Sequence, residues 1–303
     1  MTGPNDLKSG VVAVIGRPNV GKSTLVNAIV GGKAAIVSDK PQTTRNRIRA
    51  VLNDPKGQVI FVDTPGLHRP LHELGRFMKR QADESLGGSD AVCYVVESSD
   101  THIGKADEII LKLLEFSPVP VILVVNKIDY AVFPAPSGGW KVYLERLNPV
   151  ETIQVSALHG TNLDALVGRV FSLLPPGPPI FDDDRLVDCT ERFLAGEIIR
   201  EQVLRQTEQE VPHSVAVDVE EFKSPDEYPE RKNLLVRATI YVEREGQKAI
   251  LIGKGGSKMK SIGEQARREI EEQFGQDVFL DLWVKVRPGW RNSERDLRRM
   301  GYV

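Results

Sequence analysis

The chain has 303 residues, room for two domains of ordinary size. With 41% hydrophobic and 27% charged residues it has a folded globular composition, not a disordered or fibrous one. A formal net charge of −2 excludes a global positive field, so any nucleic-acid contact must come from a local patch.

The opening MTGPNDLKSG lacks the apolar core of a secretory leader. Apolar runs such as Val121–Val125 are too short to cross a bilayer. Cys93 and Cys189 show no metal-ligand spacing, and Cys93 lies in a run that reads as a buried strand. A disulfide between them is therefore not expected, as suits a reducing compartment.

In chain order, VVAVI (Val11–Ile15) reads as a strand and LVNAIV as a helix, with GRPNVGKS (Gly16–Ser23) between them. A glycine turn leading from strand to helix points backbone N–H groups at phosphate oxygens. The candidate nucleotide contacts here are Gly16, Arg17, Pro18, Asn19, Val20, Gly21, Lys22, Ser23 and Thr24. Lys22 would reach the outer phosphates, and the Ser23 hydroxyl would ligate Mg2+. Next, SDKPQTTRNR (Ser38–Arg47) is polar and lies where a mobile switch belongs, although an ordinary surface loop has the same composition. Thr43 or Thr44 could complete the Mg2+ shell, and we assign that place to Thr44.

The strand VIFV (Val59–Val62) runs into VDTPG. Asp63 could hold Mg2+ through water and the Gly66 amide could meet a γ-phosphate, with Thr64 and Pro65 between them. Leu67 follows, where Ras-like enzymes carry a water-orienting glutamine. Leucine cannot position water, so hydrolysis should be slow unless another group substitutes. Asn19 is a candidate for holding a monovalent cation, K+, in the electrostatic role of an arginine finger. Lys22, Asn19, Thr44 and Gly66 are thus the candidate catalytic residues; Ser23, Thr44 and Asp63 are the candidate metal ligands.

AVCYVV (Ala91–Val96) and VILVV (Val121–Val125) are further strands, separated by the helix-patterned DEIILKLLEF. NKID (Asn126–Asp129) follows the second. A carboxylate at Asp129 can accept two hydrogen bonds from guanine, whereas adenine offers no donors there and would leave the charge unpaired. Lys127 can lie over the base, and Asn126 can brace the loop. Tyr130–Glu151 is unexpectedly rich in proline and glycine for a segment linking two nucleotide motifs. TIQV (Thr152–Val155) then leads to Ser156 and Ala157, whose backbone could meet the guanine oxygen. Four motifs in order, each at a strand end, imply a GTP/GDP site with Mg2+. Apolar strands alternating with helices imply an α/β fold, a mostly parallel, doubly wound sheet buried on both faces.

LLPPGPPIFDDD (Leu173–Asp184) reads as a stiff, solvated linker. We divide the chain into residues 1–174, a linker 175–189, and residues 190–303. The second part reads as a helix near Thr190–Glu208, strands SVAVDVEEF (Ser214–Phe222) and LLVRATIYV (Leu234–Val242), helices, and a strand VFLDLWVKV (Val278–Val286). This predicts a small α+β domain with its helices on one sheet face. Within it, ILIGKGGSKMKSIG (Ile250–Gly263) has a second glycine-rich loop. It lacks a Ser or Thr after a Gly-Lys pair and a companion guanine motif, so a second nucleotide site is not expected. Gly253, Lys254, Gly255 and Gly256, with Lys258 and Lys260, suit close approach to a single-stranded nucleic-acid backbone. Lys285, Arg287, Arg291, Arg295, Arg298 and Arg299 follow, with Trp290 as an aromatic platform. The alternatives are a helix-capping turn and a solvated amphipathic tail balanced by Glu294 and Asp296.

The combination GRPNVGKSTL, QTTR, DTPGLH, NKID, VSAL, ERFLAGEIIRE, VEREGQK, ILIGKGGSKMKSIG, LWVKV and a final GYV resembles the Era family of bacterial GTPases from about Val11 onward. The resemblance implies a P-loop GTPase domain followed by a smaller type II KH domain. It further implies a monomer that binds 16S ribosomal RNA near its 3′ end during small-subunit assembly. Some association with the inner face of the cell membrane is also implied. A GTPase whose C-terminal domain docks mainly to protein or membrane partners is the alternative.

Overall fold

The computed structural model describes residues 7–67, 70–115, 117–130, 138–181, 185–227 and 232–302. Successive residues of a strand face opposite sides, and β1 (Lys8–Ile15) uses both. Val12 and Val14 enter one apolar layer with Leu25 and Val26 of α1 (Lys22–Val30) and Leu166 and Val170 of α4 (Leu163–Leu173). Ala13 and Ile15 enter the other, with Ala82 of α2 (Glu73–Gly87) and Ile110 and Leu111 of α3 (Lys105–Leu114). Each fully buried Val, Leu or Ile stabilises by about 1.5–3 kcal/mol, so these layers fix where the strand ends stand.

The sheet has the order β2-β3-β1-β4-β5-β6, with β2 (Ile48–Asp54), β3 (Gly57–Asp63), β4 (Ala91–Glu97), β5 (Val121–Asn126) and β6 (Glu151–Gln154). All neighbours are parallel except β2, which pairs antiparallel with β3. β2 was not among the predicted strands: Arg49, Asn53 and Asp54 dilute its apolar pattern. β6 is an edge strand with exposed ends, so burial on both faces does not extend to it.

The segment 175–188, expected to be solvated, is hydrogen-bonded to this sheet where it is described. The Ser9 amide donates to the Pro175 carbonyl, Val51 to Leu186, and Asp188 to Arg49. Gln58 is buried, and its Oε1 accepts from the amides of Ile180 and Phe181, both at 2.8 Å. The first compact unit accordingly extends to Asp188. Residues 131–137 of the proline- and glycine-rich stretch lie outside the described residues. Gly139–Glu145 beyond them is a 3-10 helix that buries Tyr143.

The second unit has α5 (Glu191–Gln206), the short α6 (Val211–Ser214), β7 (Ala216–Lys223), β8 (Leu234–Val242), α7 (Glu245–Ile252), α8 (Ser257–Phe274), β9 (Val278–Val286) and α9 (Glu294–Arg299). Thr190 caps α5 by accepting from the Phe193 amide at 3.2 Å. β8 is central, antiparallel to β7 and parallel to β9. Ile262, Ala266 and Ile270, spaced by four, form the buried stripe of α8. Among the described residues no helix is long and apolar enough to cross a membrane.

Candidate functional site

Parallel pairing puts the carboxyl ends of β1, β3, β4 and β5 on one edge. Val14 is level with Asp63, Ile15 with Tyr94, and Glu97 with Asn126. The phosphate loop leaves this edge after Ile15 and enters α1, which has no side-chain cap and no acid in its first turn. An uncapped helix start with unopposed N–H groups favours an anion. Gly21 has φ +94°, and a Cβ there would stand 2.4 Å from Asn126 Nδ2. Backbone and crowding alike require glycine.

Lys22 is buried, and its Nζ donates to the carbonyls of Gly16 and Arg17, each at 3.0 Å. Burial pushes its ammonium down to about 8 against the pull of Asp63. The Ser23 hydroxyl donates to Asp63 Oδ2 at 2.6 Å and lies 2.9 Å from the Thr44 hydroxyl, which donates to the same oxygen at 3.2 Å. Asp63 is fully buried, its carboxyl raised by that burial, and Oδ1 has no hydrogen-bond partner. An orphaned carboxylate oxygen beside two hydroxyls is a hard-oxygen set that fits Mg2+. The Thr44 hydroxyl stands within this set, whereas the Thr43 hydroxyl donates to the Lys40 carbonyl at 2.6 Å.

Other residues of these motifs do structural work. The Thr64 hydroxyl donates to the Val14 carbonyl at 2.8 Å, and Gly66 lies against Pro18. Leu67 is buried in the second apolar layer. Asn126 ties three segments together: its Nδ2 donates to the Val20 carbonyl at 2.9 Å, and its Oδ1 accepts from the Ala157 amide at 3.0 Å. Asp129 is exposed and accepts from the Ser156 hydroxyl, a bond that holds its carboxyl below the usual range. Lys127 Nζ donates to the Asn19 carbonyl at 2.7 Å; both residues have left-handed φ, 64° and 68°.

Sequence reasoning missed a set of acids behind the phosphate loop. Arg17 directs its guanidinium away from the loop to Asp100 at 2.6 Å, Glu97 at 3.4 Å and Asp107 at 3.6 Å. Tyr94 donates to Asp107 at 2.9 Å and Tyr143 to Asp100 at 3.1 Å. Glu97 also meets Lys127 Nζ at 2.5 Å. The signal was available, since Glu97 ends a buried strand on the edge that carries the other motifs.

In the second unit the GKGG loop joins α7 to α8. Gly253 has φ 70° and ψ 177°, a conformation essentially confined to glycine, and a Cβ there would meet Lys258 Cβ at 2.8 Å. Gly255 and Gly256 face open space. Lys254 and Lys260 are exposed and Lys258 is half-buried. Beside them runs a groove of about 440 Å3, walled by Ile252, Met259, Gly263, Leu280 and Leu282, with Lys260 and Arg267 also lining it.

The basic tail differs from expectation. Trp290 is fully buried, donates from Nε1 to the Ser214 carbonyl at 2.9 Å and stacks on Tyr302. It cannot serve as a platform for bases: the Pro288-Gly289 turn, with Gly289 at φ 68°, folds its ring into the core. Arg291 is paired with Glu243, Arg287 with Asp296, and Lys285 lies 3.6 Å from Glu220. Of the two acids expected to balance the tail, Asp296 meets Arg287 and Glu294 lies 3.9 Å from Arg298.

The 50S ribosome-binding GTPase family matches residues 11–127, and the KH domain family matches residues 210–291. The chain is 50% identical over 296 residues to GTPase Era of Carboxydothermus hydrogenoformans, covering 98% of both chains. It is 45% identical over 297 residues to GTPase Era of Staphylococcus haemolyticus, covering 98% of this chain and 97% of that one. The crystal structure of an Aquifex aeolicus Era variant bound to GDP and AlF4− superposes with a TM-score of 0.90 at 38% identity, over 98% of this chain and all of that one. An Era structure in complex with MgGDPNP and nucleotides 1506–1542 of 16S ribosomal RNA gives 0.91 at 39% identity, over 98% of this chain and 99% of that one.

Proposed function

The chain belongs to the Era family of GTPases, and from that premise we propose that it is a nucleotide-controlled switch that binds 16S ribosomal RNA near its 3′ end during small-subunit (30S) assembly. It hydrolyses GTP to GDP and phosphate. The observation that carries the RNA reading is the GKGG loop with its adjoining groove, on a chain that superposes over 98% of its length on a relative bound to this RNA.

In this reading the α1 N-terminus and Lys22 bind the phosphates, and the Gly66 amide meets the γ-phosphate. Ser23, Thr44 and Asp63 hold Mg2+, which when bound supplies positive charge to the phosphate oxygens. Asp129, oriented by Ser156, reads guanine, and Ala157 offers its amide to the guanine oxygen. Thr44 orders its loop only while a γ-phosphate is present. With Leu67 buried, no side chain at that position orients water, so intrinsic hydrolysis is slow. Asn19 would hold K+, whose positive charge would take the electrostatic role of an arginine finger. Gly253–Gly256, Lys254, Lys258 and Lys260 clamp the RNA backbone and the groove takes bases. The protein acts as a monomer in the cytoplasm, with peripheral association at the inner face of the cell membrane.

Crosslinking of a 16S 3′ fragment to the full chain, with a GTP analogue or with GDP, tests this. We expect stronger crosslinking with the analogue and at least about tenfold loss in G253A and G256A. Undiminished crosslinking in both variants would overturn the RNA reading in favour of docking to protein or membrane partners.

A further inference from the structure

Glu97 reaches both the phosphate loop and the guanine loop through charged partners. One carboxylate oxygen lies 2.5 Å from Lys127 Nζ and the other 3.4 Å from Arg17. Lys127 Nζ in turn donates to the Asn19 carbonyl, and the Arg17 carbonyl accepts from Lys22 Nζ at 3.0 Å. Glu97 is itself fixed: its side chain is 19% exposed, and its amide donates to Asp100 Oδ2 at 3.1 Å. Asn19 and Lys127, the residues that meet across this bridge, both hold left-handed φ without being glycine. Such conformations persist only where surroundings enforce them.

We propose that Glu97 is a positioning residue for nucleotide binding, setting the spacing between the loop that holds phosphate and the loop that reads the base. The proposal rests on the assignment of those two loops made above. Its role is geometric and not one of bulk charge. Around Arg17 and Lys127 stand three carboxylates, Glu97, Asp100 and Asp107, an excess that opposes an anionic ligand. A purely electrostatic effect would make loss of Glu97 tighten nucleotide binding; a positioning effect makes it weaken.

The test is a double-mutant cycle on the full chain, reading GDP affinity in E97A, K127A and the double variant. E97A is expected to weaken GDP about tenfold in the wild-type background but less than twofold on top of K127A, with KM for GTP rising in step. Unchanged or tighter GDP binding in E97A, or losses that add in the double variant, would overturn the proposal. Nucleotide-free melting separates positioning from general damage: a fall in E97A as large as in a core variant such as Phe61→Ala also overturns it. Should E97A fail to fold, E97Q carries the same cycle, with a loss of at least threefold expected. If K127A itself left GDP binding intact, the guanine-loop assignment would fail instead.

Discussion

A carboxylate on the surface specifies little unless something fixes its direction, and Asp129 shows how that is done. Ser156 donates to it, and the amide of His159 donates to the Ser156 hydroxyl at 3.2 Å, so the acid is held by the next loop. Asp129→Asn turns an acceptor into a group with its own donors. Preference should move from guanine to xanthine nucleotides by about 100-fold or more, as expected where a site rejects a mismatched hydrogen-bond pattern. Competition between GDP and XDP measures it, and unaltered GDP preference would show that Asp129 does not read the base. The residues legible in sequence were those whose chemistry is tied to a strand end, such as Lys22, Asp63 and Asp129. Glu97 and Ser156 escaped notice in their positioning roles because their partners lie 30 and 27 residues away. Trp290 misled for the converse reason: cations flank it in sequence, but its ring packs on Tyr302.

Between residues and domains, ion pairs decide how the last elements attach. Asp296 of α9 is nearly buried and accepts from Arg287, just beyond β9, while Ser293 caps the helix by accepting from its amide. The bond to Arg287 holds the Asp296 carboxyl below its ordinary 3.8. A depressed folded value means that the native state binds fewer protons than the unfolded one in that interval, so the stabilisation is full above pH 3.8 and is lost as pH falls through the folded value. D296N should therefore melt lower than wild type at pH 5–7, and the gap should narrow below pH 3.8. A constant gap across that range would place its cause outside this ionisation. Elements were legible wherever an apolar run was sustained: β8, buried along nearly its whole length, and β9, half-exposed, both have the bounds that their apolar runs suggest. β2 was not, because one edge is closed by residues 186–188, distant in sequence, and its exposed positions, Arg49 and Asn53, are polar. The same pairing holds residues 186–188, at the end of a segment that composition reads as solvated, on the sheet instead.

At the scale of the whole molecule the charges nearly cancel, with 40 basic and 42 acidic side chains. Many tail cations are already paired: Arg287, Arg291 and Arg299 each meet an acid within 4 Å. In the proposed reading RNA affinity arises from few groups, those beside the GKGG loop: Lys254 and Lys260 are exposed, Lys260 3.9 Å from Glu264, with Lys258 half-buried between them. Each cation that neutralises a phosphate of single-stranded RNA contributes about 0.7 to the slope of log affinity against log salt. Replacing Lys254, Lys258 and Lys260 together by alanine should lower that slope by roughly 2, while GDP binding, which depends on a different loop, stays as it is. Titrating a 16S 3′ fragment between 50 and 200 mM salt, a range suited to counterion release, reads the change directly. An unchanged slope would move the RNA contact off this loop, and a parallel loss of GDP binding would mean that the three lysines support the fold as a whole and not one face of it.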